Sequence, residues 1–378
     1  LVGTLDAPTR ITAPMVRKGW LDGRKGQRGK DSFVEVSWSD ALSLVADELS
    51  RVKAEQGNQG IFAGCYGWAS AGRFHHAQSQ IHRFMNCIGG YVKSVNTYSF
   101  AAAEVIIPHV LGDFRGFIYD QTSWQSICDD GGLFVGFGGL PLKNAQINQG
   151  GTGGHVQKGF VAKAHRAGVE FVNISPLAAD MPDSVKSDWL AIRPNTDTAL
   201  MLGLCYTLLD EGLQDSDFLD RYCTGFDVFA TYLGGTEDGC KKSADWAAAI
   251  CGLPADDIRN LARRMAGTRT MISLSWSLTR QAHGEQPMWA GIVLAAMLGQ
   301  IGLPGGGIGI GYSAVNRVGY DLNRVSFASV PQGINAVKEF IPVARIADML
   351  LQPGSPFDYN GGCYSYPDVQ LIYWAGGN

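Results

Sequence analysis

Short apolar runs recur along the chain, each followed by a glycine- or serine-rich loop and then by apolar residues at helical spacing. Ile61-Phe62-Ala63-Gly64 leads into Cys65-Tyr66-Gly67-Trp68, and Leu133-Phe134-Val135-Gly136-Phe137 leads into Gly138-Gly139-Leu140-Pro141-Leu142-Lys143. Glu170-Phe171-Val172-Asn173-Ile174 precedes Ser175-Pro176, and Thr270-Met271-Ile272-Ser273-Leu274 precedes Ser275-Trp276-Ser277. A last run, Val369 to Trp374, precedes Ala375-Gly376-Gly377-Asn378. Strand, loop and helix in this rhythm predict α/β architecture with doubly wound, mostly parallel sheets, because parallel strands need helical crossovers. In such sheets ligands bind beyond the carboxyl ends of the strands, where these loops lie.

Several helices are legible between the strands. Ser37-Trp38-Ser39-Asp40 resembles a capping box, with Asp in place of the usual Glu or Gln, and Leu42, Val45, Leu49 and Val52 follow at helical spacing up to Gly57. Residues 72–89 carry Phe74, Ala77, Ile81, Met85 and Ile88 on one face, and Thr196 is placed to cap a helix running through Leu200, Leu204 and Leu208 to Gly212. Further helices are predicted over residues 256–265 and 287–300. Residues 304–341 open with Pro304-Gly305-Gly306-Gly307 and read as a long connection between domains.

Charge and composition narrow the function. With 31 Lys and Arg against 35 Asp and Glu and no long basic run, the chain is not expected to bind nucleic acid. The most apolar stretch, Met288 to Ile301, is interrupted by glycines and by Gln300, so no membrane span is expected. None of the eight cysteines stands in a Cys-x-x-Cys arrangement, so no iron–sulfur cluster or zinc ribbon is expected in this chain. The chain starts at Leu1 and stops just after an apolar run, which reads as two cut ends.

Individual residues are ambiguous when taken alone. The glycine string after Pro304 follows a helix rather than a strand, which argues against a dinucleotide fingerprint. The adjacent His75 and His76 point about 100° apart on a helix and suit a shared metal poorly. Tyr66 and Trp68 bring a phenol and an indole N–H to a strand end, a place where either a ligand or ordinary packing can use them. Ser99, ahead of Ala101-Ala102-Ala103-Glu104, reads in isolation as a helix cap.

The motifs taken together resemble a known family. Tyr66-Gly67-Trp68-Ala69-Ser70-Ala71-Gly72-Arg73 and Asn96-Thr97-Tyr98-Ser99 have the spacing found in molybdopterin oxidoreductases of the dimethyl sulfoxide reductase family, in the branch that reduces biotin sulfoxide, dimethyl sulfoxide or trimethylamine N-oxide. The resemblance continues through Ile107-Pro108-His109-Val110, Gln121-Thr122-Ser123-Trp124, Pro141-Leu142-Lys143, the run from Pro194 to Gly203, His283-Gly284-Glu285-Gln286 and the run from Leu298 to Gly307. It covers nearly the whole chain. The fold it implies is two Rossmann-like domains of a larger molybdoenzyme: residues 1–140 with the metal-ligand loop, 141–330 binding nucleotide, and 331–378 returning, truncated, toward the first domain.

The resemblance also implies roles. Ser99 is expected to ligate molybdenum, a hard oxygen donor for an oxophilic metal, with bis-molybdopterin guanine dinucleotide supplying the sulfur ligands. Tyr66 and Trp68 match a pair that reaches the transferring oxygen, and Arg280 matches an arginine of the substrate funnel. Trp276 is expected near one pterin, Lys143 between pterin and metal, and Ser175 and Asp197 at a guanine nucleotide, with Gly377 and Asn378 at the second. The expected reaction is reduction of an S-oxide to the thioether, with an electron donor such as a c-type cytochrome or a cytoplasmic reductant. The expected compartment is the periplasm, with the cytoplasm as the alternative. Tyr66, which trimethylamine N-oxide reductases lack, tilts the reading toward sulfoxides.

Two departures from the family pattern bear on the substrate. Asn96-Thr97 stands where many members have Gly-Asp, and residues 113–120 differ from the usual acidic run. An N-oxide reductase or a serine-ligated hydroxyl transferase is therefore a second reading, and an inactive fragment of the enzyme is a third.

Overall fold

The computed structural model describes residues 2–4, 6–23, 28–64, 76–148, 154–320 and 330–375. Its elements relevant to the site begin with α1 (Trp38–Gln56), β1 (Ile61–Gly64), α2 (Ala77–Cys87) and α3 (Ala101–Leu111). They continue with α4 (Trp124–Asp130), β2 (Leu133–Phe137), α5 (Gln157–Arg166), β3 (Glu170–Ile174), β4 (Ser187–Leu190) and α6 (Asp197–Asp210). The remainder are α7 (Ala244–Cys251), α8 (Ala255–Gly267), β5 (Thr270–Leu274), α9 (Glu285–Met297), β6 (Gly307–Ile310) and β7 (Leu371–Trp374). No helix among the described residues is long and apolar enough to cross a membrane.

Contacts group the described residues into two units, one drawn from Leu1–Tyr66, Gln78–Ser94 and Pro331–Asn378, the other from Gly67–Ala77 and Val95–Val330. The second unit holds a five-stranded sheet in the order β4-β3-β2-β5-β6. All four of its ladders are parallel, as the strand-loop-helix rhythm predicted. The central strands are in even register, Phe137 lying opposite both Ile174 and Leu274, so their carboxyl ends finish level.

Both faces of this sheet are covered, which is why its strands are apolar almost throughout. Leu133, Val135 and Phe137 of β2 point into a core built with α3, α6, α7, α8 and α9, while Phe134 between them points into a second core with α4 and α5. The two-residue period repeats in β3 and β5, where Phe171 and Met271 join the second core and Val172, Ile174, Ile272 and Leu274 the first. Each such side chain, fully buried, contributes about 1.5–3 kcal/mol.

The first unit has a smaller parallel pair, β1 with β7, Phe62 lying opposite Ile372. Phe62 is buried with Val92, Ile341, Met349, Phe357 and Tyr366, so residues distant in sequence share one core. In α1 the Ser37 hydroxyl accepts a hydrogen bond from the Asp40 N–H at 3.1 Å, the start foreseen from the capping-box pattern. Its apolar stripe is only half covered: Leu49 and Val52 are buried, whereas Leu42 and Val45 are 65% and 45% exposed.

Two local expectations are revised. The glycine-rich run read as part of a connection contains β6, a fully buried strand. Its Gly309 accommodates the Gln121 side chain, which a Cβ there would meet at 2.3 Å. Thr196 does precede α6, but its hydroxyl donates to the Arg193 carbonyl at 2.7 Å rather than capping the helix.

Candidate functional site

In the five-stranded sheet the chain steps from β2 outward through β3 to β4, then returns to the other side of β2 as β5 and β6. The crossover directions therefore diverge between β2 and β5, and a crevice opens at their carboxyl ends. Gly138 and Gly139 follow β2 with φ of 86° and 69°, backbone that L side chains rarely adopt. A Cβ on Gly138 would lie 2.4 Å from the Ser275 Cβ, so glycine is required for the loops after β2 and β5 to approach each other.

The loop after β5 is a 3-10 turn, Trp276–Thr279. Ser275 caps it by accepting from the Ser277 N–H, and the Thr279 hydroxyl closes it by donating to the Trp276 carbonyl at 2.8 Å. Arg280 ends the turn, exposed and without an ion pair among the described residues. The Trp276 ring packs 4.5 Å from the Phe100 ring, and its Nε1–H is buried with no hydrogen-bond partner among the described residues. Gly311, just beyond β6, lies against this indole, since a Cβ there would meet Nε1 at 2.1 Å. A buried donor left unpaired costs about 1–3 kcal/mol, so such an atom marks a place where an external acceptor is gained.

Ser99 stands in the turn before α3, beside this loop. The helix N-cap is Phe100, with no side-chain cap hydrogen bond, so the plain reading of Ser99 as the cap is not the one the fold adopts. The Ser99 N–H donates to the Thr97 hydroxyl at 3.4 Å, and the Ser99 carbonyl lies 3.5 Å from the Thr279 hydroxyl. Ser99, Trp276 and the turn ending in Arg280 are thus brought together by the packing of Phe100 on Trp276 and of Ser99 on Thr279.

The other candidates line the same side of the sheet or its margin. Lys143 is exposed and precedes a short 3-10 turn, Asn144–Gln146, reached from β2 through Gly138-Gly139. Ser175 follows β3 and is buried; its hydroxyl donates to the Asp180 carboxylate at 2.7 Å and accepts from the Leu177 N–H, so it shapes its loop from within. Asp180 in turn accepts the Leu140 N–H through its carbonyl at 2.6 Å, tying the loops after β2 and β3 together.

Asp197 opens α6 and is 4% exposed. Its carboxyl is pushed up from 3.8 to about 6, because burial disfavours the charged form. No other side chain hydrogen-bonds it among the described residues. With no side-chain donor on it among the described residues, the carboxylate keeps acceptor capacity at a helix start. Tyr66, Trp68, Gly377 and Asn378 lie outside the described residues.

Sequence reasoning did not single out Gly138, Gly139, Gly311 or the half-buried carboxylate Glu104 as site-forming. A glycine pair directly after an apolar strand was the available signal for the first two. Gly311 and Glu104 carry none, since their importance comes from neighbours far away or from a turn whose shape the sequence does not announce.

Comparison with known proteins gives a consistent picture. The family model described as molybdopterin oxidoreductase matches residues 10–347. A biotin sulfoxide reductase of Cereibacter sphaeroides is 47% identical over 373 residues, 98% of this chain and 50% of that protein. A dimethyl sulfoxide/trimethylamine N-oxide reductase of the same organism is 43% identical over 396 residues, covering 100% of this chain and 48% of that protein. A trimethylamine-N-oxide reductase of Haemophilus influenzae is 42% identical, over 98% of this chain and 46% of that protein. Acetylene hydratase from Pelobacter acetylenicus shares the fold, with a TM-score of 0.51 at 20% identity over 79% of this chain and 37% of that chain. The chain spans about half the length of the curated relatives it matches. With a family model covering most of its length and relatives this similar, the chain belongs to the molybdopterin oxidoreductases.

Proposed function

We propose that this chain carries the molybdenum-binding machinery of an oxotransferase that reduces an S-oxide to its thioether. The observation that carries the reading is the packing of the Ser99 turn on the Trp276–Thr279 turn, at the carboxyl-end crevice of the five-stranded sheet. The residues fit bis-molybdopterin guanine dinucleotide in three respects. The Trp276 Nε1–H has no acceptor among the described residues, the Gly138-Gly139 pair brings the loops after β2 and β5 together without side chains, and Asp197 has acceptor capacity for guanine N–H groups. No iron–sulfur cluster enters this reading.

Ser99 would hold the metal through its hydroxyl oxygen, and Lys143, Ser175 and Asp197, with Gly377 and Asn378, would hold the pterin and nucleotide portions. Bound there, molybdenum supplies two-electron oxygen-atom chemistry, by which a sulfoxide, two electrons and two protons give a thioether and water. Arg280, exposed and without an ion pair among the described residues, orients the substrate by donating to the partly negative S–O oxygen. Tyr66 and Trp68 donate to the same oxygen and steady it during transfer. The reducing equivalents come from a c-type cytochrome or a cytoplasmic reductant. We place the full-length protein in the periplasm, which a twin-arginine signal in its gene would support and a leaderless gene would refute.

Elemental analysis of the full-length protein is expected to find one molybdenum per chain and near none retained in active form after Ser99→Ala, with reduced-viologen turnover falling at least a thousandfold. Unaltered turnover in that variant would overturn the reading. A second reading, N-oxide reduction, draws on the relative from Haemophilus influenzae. Rates on biotin sulfoxide, methionine sulfoxide and trimethylamine N-oxide separate the two, a preference for the last favouring the second. Turnover by the isolated 378-residue chain with added cofactor would exclude the inactive-fragment reading.

A further inference from the structure

Glu104 is a half-buried carboxylate five residues beyond Ser99, and the reaction described above does not use it. It stands in the first turn of α3, where the helix dipole favours negative charge. Its Oε2 accepts the Thr97 N–H at 2.7 Å, and it also accepts a hydrogen bond from the Asn96 side chain. The two residues it grips lie immediately upstream of Tyr98-Ser99. Asn96 adopts φ of 67°, a left-handed backbone that only a few residue types other than glycine tolerate. Thr97, in turn, accepts the Ser99 N–H through its hydroxyl.

The chain of contacts therefore runs from the carboxylate of Glu104 to the backbone of Thr97, and from the hydroxyl of Thr97 to the backbone of Ser99. Its anchor is firm, because α3 is fixed in the main core by the fully buried Ala103 and Ile107 on either side of Glu104. The alternatives for Glu104 are poorer. No Lys or Arg pairs with it among the described residues, and its distance in sequence from the bonds it makes shows a reach back over the helix start, beyond the ordinary capping box. A half-buried carboxylate spent on two groups of one turn is costly unless the shape of that turn matters.

We propose that Glu104 is a positioning residue that fixes the Asn96–Ser99 turn so that the Ser99 hydroxyl is presented to the metal. The proposal rests on the reading of Ser99 as the molybdenum ligand. Glu104→Gln preserves volume and one acceptor for Thr97, yet replaces the second acceptor with a donor facing the Asn96 amide. Glu104→Ala removes both bonds.

The test uses the full-length, cofactor-loaded protein and molybdenum K-edge X-ray absorption, which counts the oxygen ligand independently of turnover, alongside kcat and KM for biotin sulfoxide. Glu104→Gln is expected to keep wild-type molybdenum content and KM within about twofold. Its oxygen-ligand shell should be lengthened or partly lost, and kcat should fall on the order of tenfold. Glu104→Ala should lose the shell further, with kcat down on the order of a hundredfold. A Glu104→Gln protein with the wild-type shell and kcat overturns the proposal, even if it melts at a lower temperature, since that is what a purely structural carboxylate would give. If Glu104→Ala does not fold, the Gln variant alone decides. Ser99→Ala measured in parallel separates the two ideas: an unchanged shell in Ser99→Ala refutes the ligand reading itself. A shell lost in Ser99→Ala but intact in both Glu104 variants refutes only the role of Glu104.

Discussion

Asp197 shows how a single side chain can be held in an unfavourable state for use. Burial raises its folded-state pKa from 3.8 to about 6, so between these values the folded chain binds more protons than the unfolded chain. Stability must therefore fall as pH rises from about 4 to about 6 and level off above, by on the order of 3 kcal/mol from this group. Asp197→Asn is expected to flatten that slope and to raise the cofactor-free protein's denaturation midpoint at pH 7, checked by urea titration at pH 4, 5, 6 and 7. A variant less stable than the parent at pH 7 would contradict the cost assigned to the carboxylate. Under the proposed function the same substitution should weaken guanine nucleotide binding, since Asn offers one acceptor where the carboxylate offers two. Residues of this kind were the hardest to read from sequence. Ser99 looked like a helix cap because short polar residues before Ala-rich runs usually are; what distinguishes it is that Phe100 takes the cap and packs on Trp276, while its own carbonyl meets Thr279. Its assignment came from resemblance, whereas the fold supplies the setting.

Elements were more legible. β2, β3 and β5 are apolar, short and bounded by glycine or serine, and a strand buried on both faces needs that composition. β6 was hidden because its residues are Gly307-Ile308-Gly309-Ile310: glycine is chosen there for the close approach of Gln121 and Tyr312, which overrides strand propensity. β4, with Asp188 and Trp189 on the sheet margin, lacked an apolar run altogether. The two kinds of glycine predict opposite mutational outcomes. Gly138→Ala meets both a left-handed backbone and the Ser275 Cβ and is expected to cost about 2 kcal/mol or more. Gly159→Ala, in the exposed face of α5 with nothing within 4 Å of the new Cβ, is expected to stabilise by about 0.5–1 kcal/mol. Chemical denaturation of the two variants side by side is the check, and equal effects would mean the loop after β2 is not the tight junction described.

On the scale of the whole molecule, the first unit is assembled from three stretches, the last of them separated from the first two by most of the sequence. Its early residues pack some core among themselves, but Phe62 and Val92 are buried only once Ile341, Met349, Phe357 and Tyr366 arrive. Sequence periodicity reports local order and cannot reveal this pairing; only the strand-like run at 369–374 hinted that the end of the chain belongs to a sheet. Phe62→Ala should remove about 3–5 kcal/mol and loosen the unit as a whole. Limited proteolysis is expected to cut first between residues 331 and 375 in that variant, before any site within β2 to β6. Cleavage confined to the loops of the five-stranded sheet would count against the shared core.

The Trp276 indole, buried against Gly311 with no hydrogen-bond partner for its N–H among the described residues, would under the proposed function discriminate between guests as well as help to fix one. A molecule with the right outline but a hydrocarbon edge at that point leaves the donor stranded, whereas one bearing an acceptor there relieves it, a difference of about 1–3 kcal/mol. That is roughly a five- to hundredfold preference, exercised before any chemistry begins. On the proposed function the crevice would read the heteroatoms of what enters it as well as the shape, so that an incomplete or wrongly built cofactor would be turned away by an unsatisfied proton rather than by a steric wall.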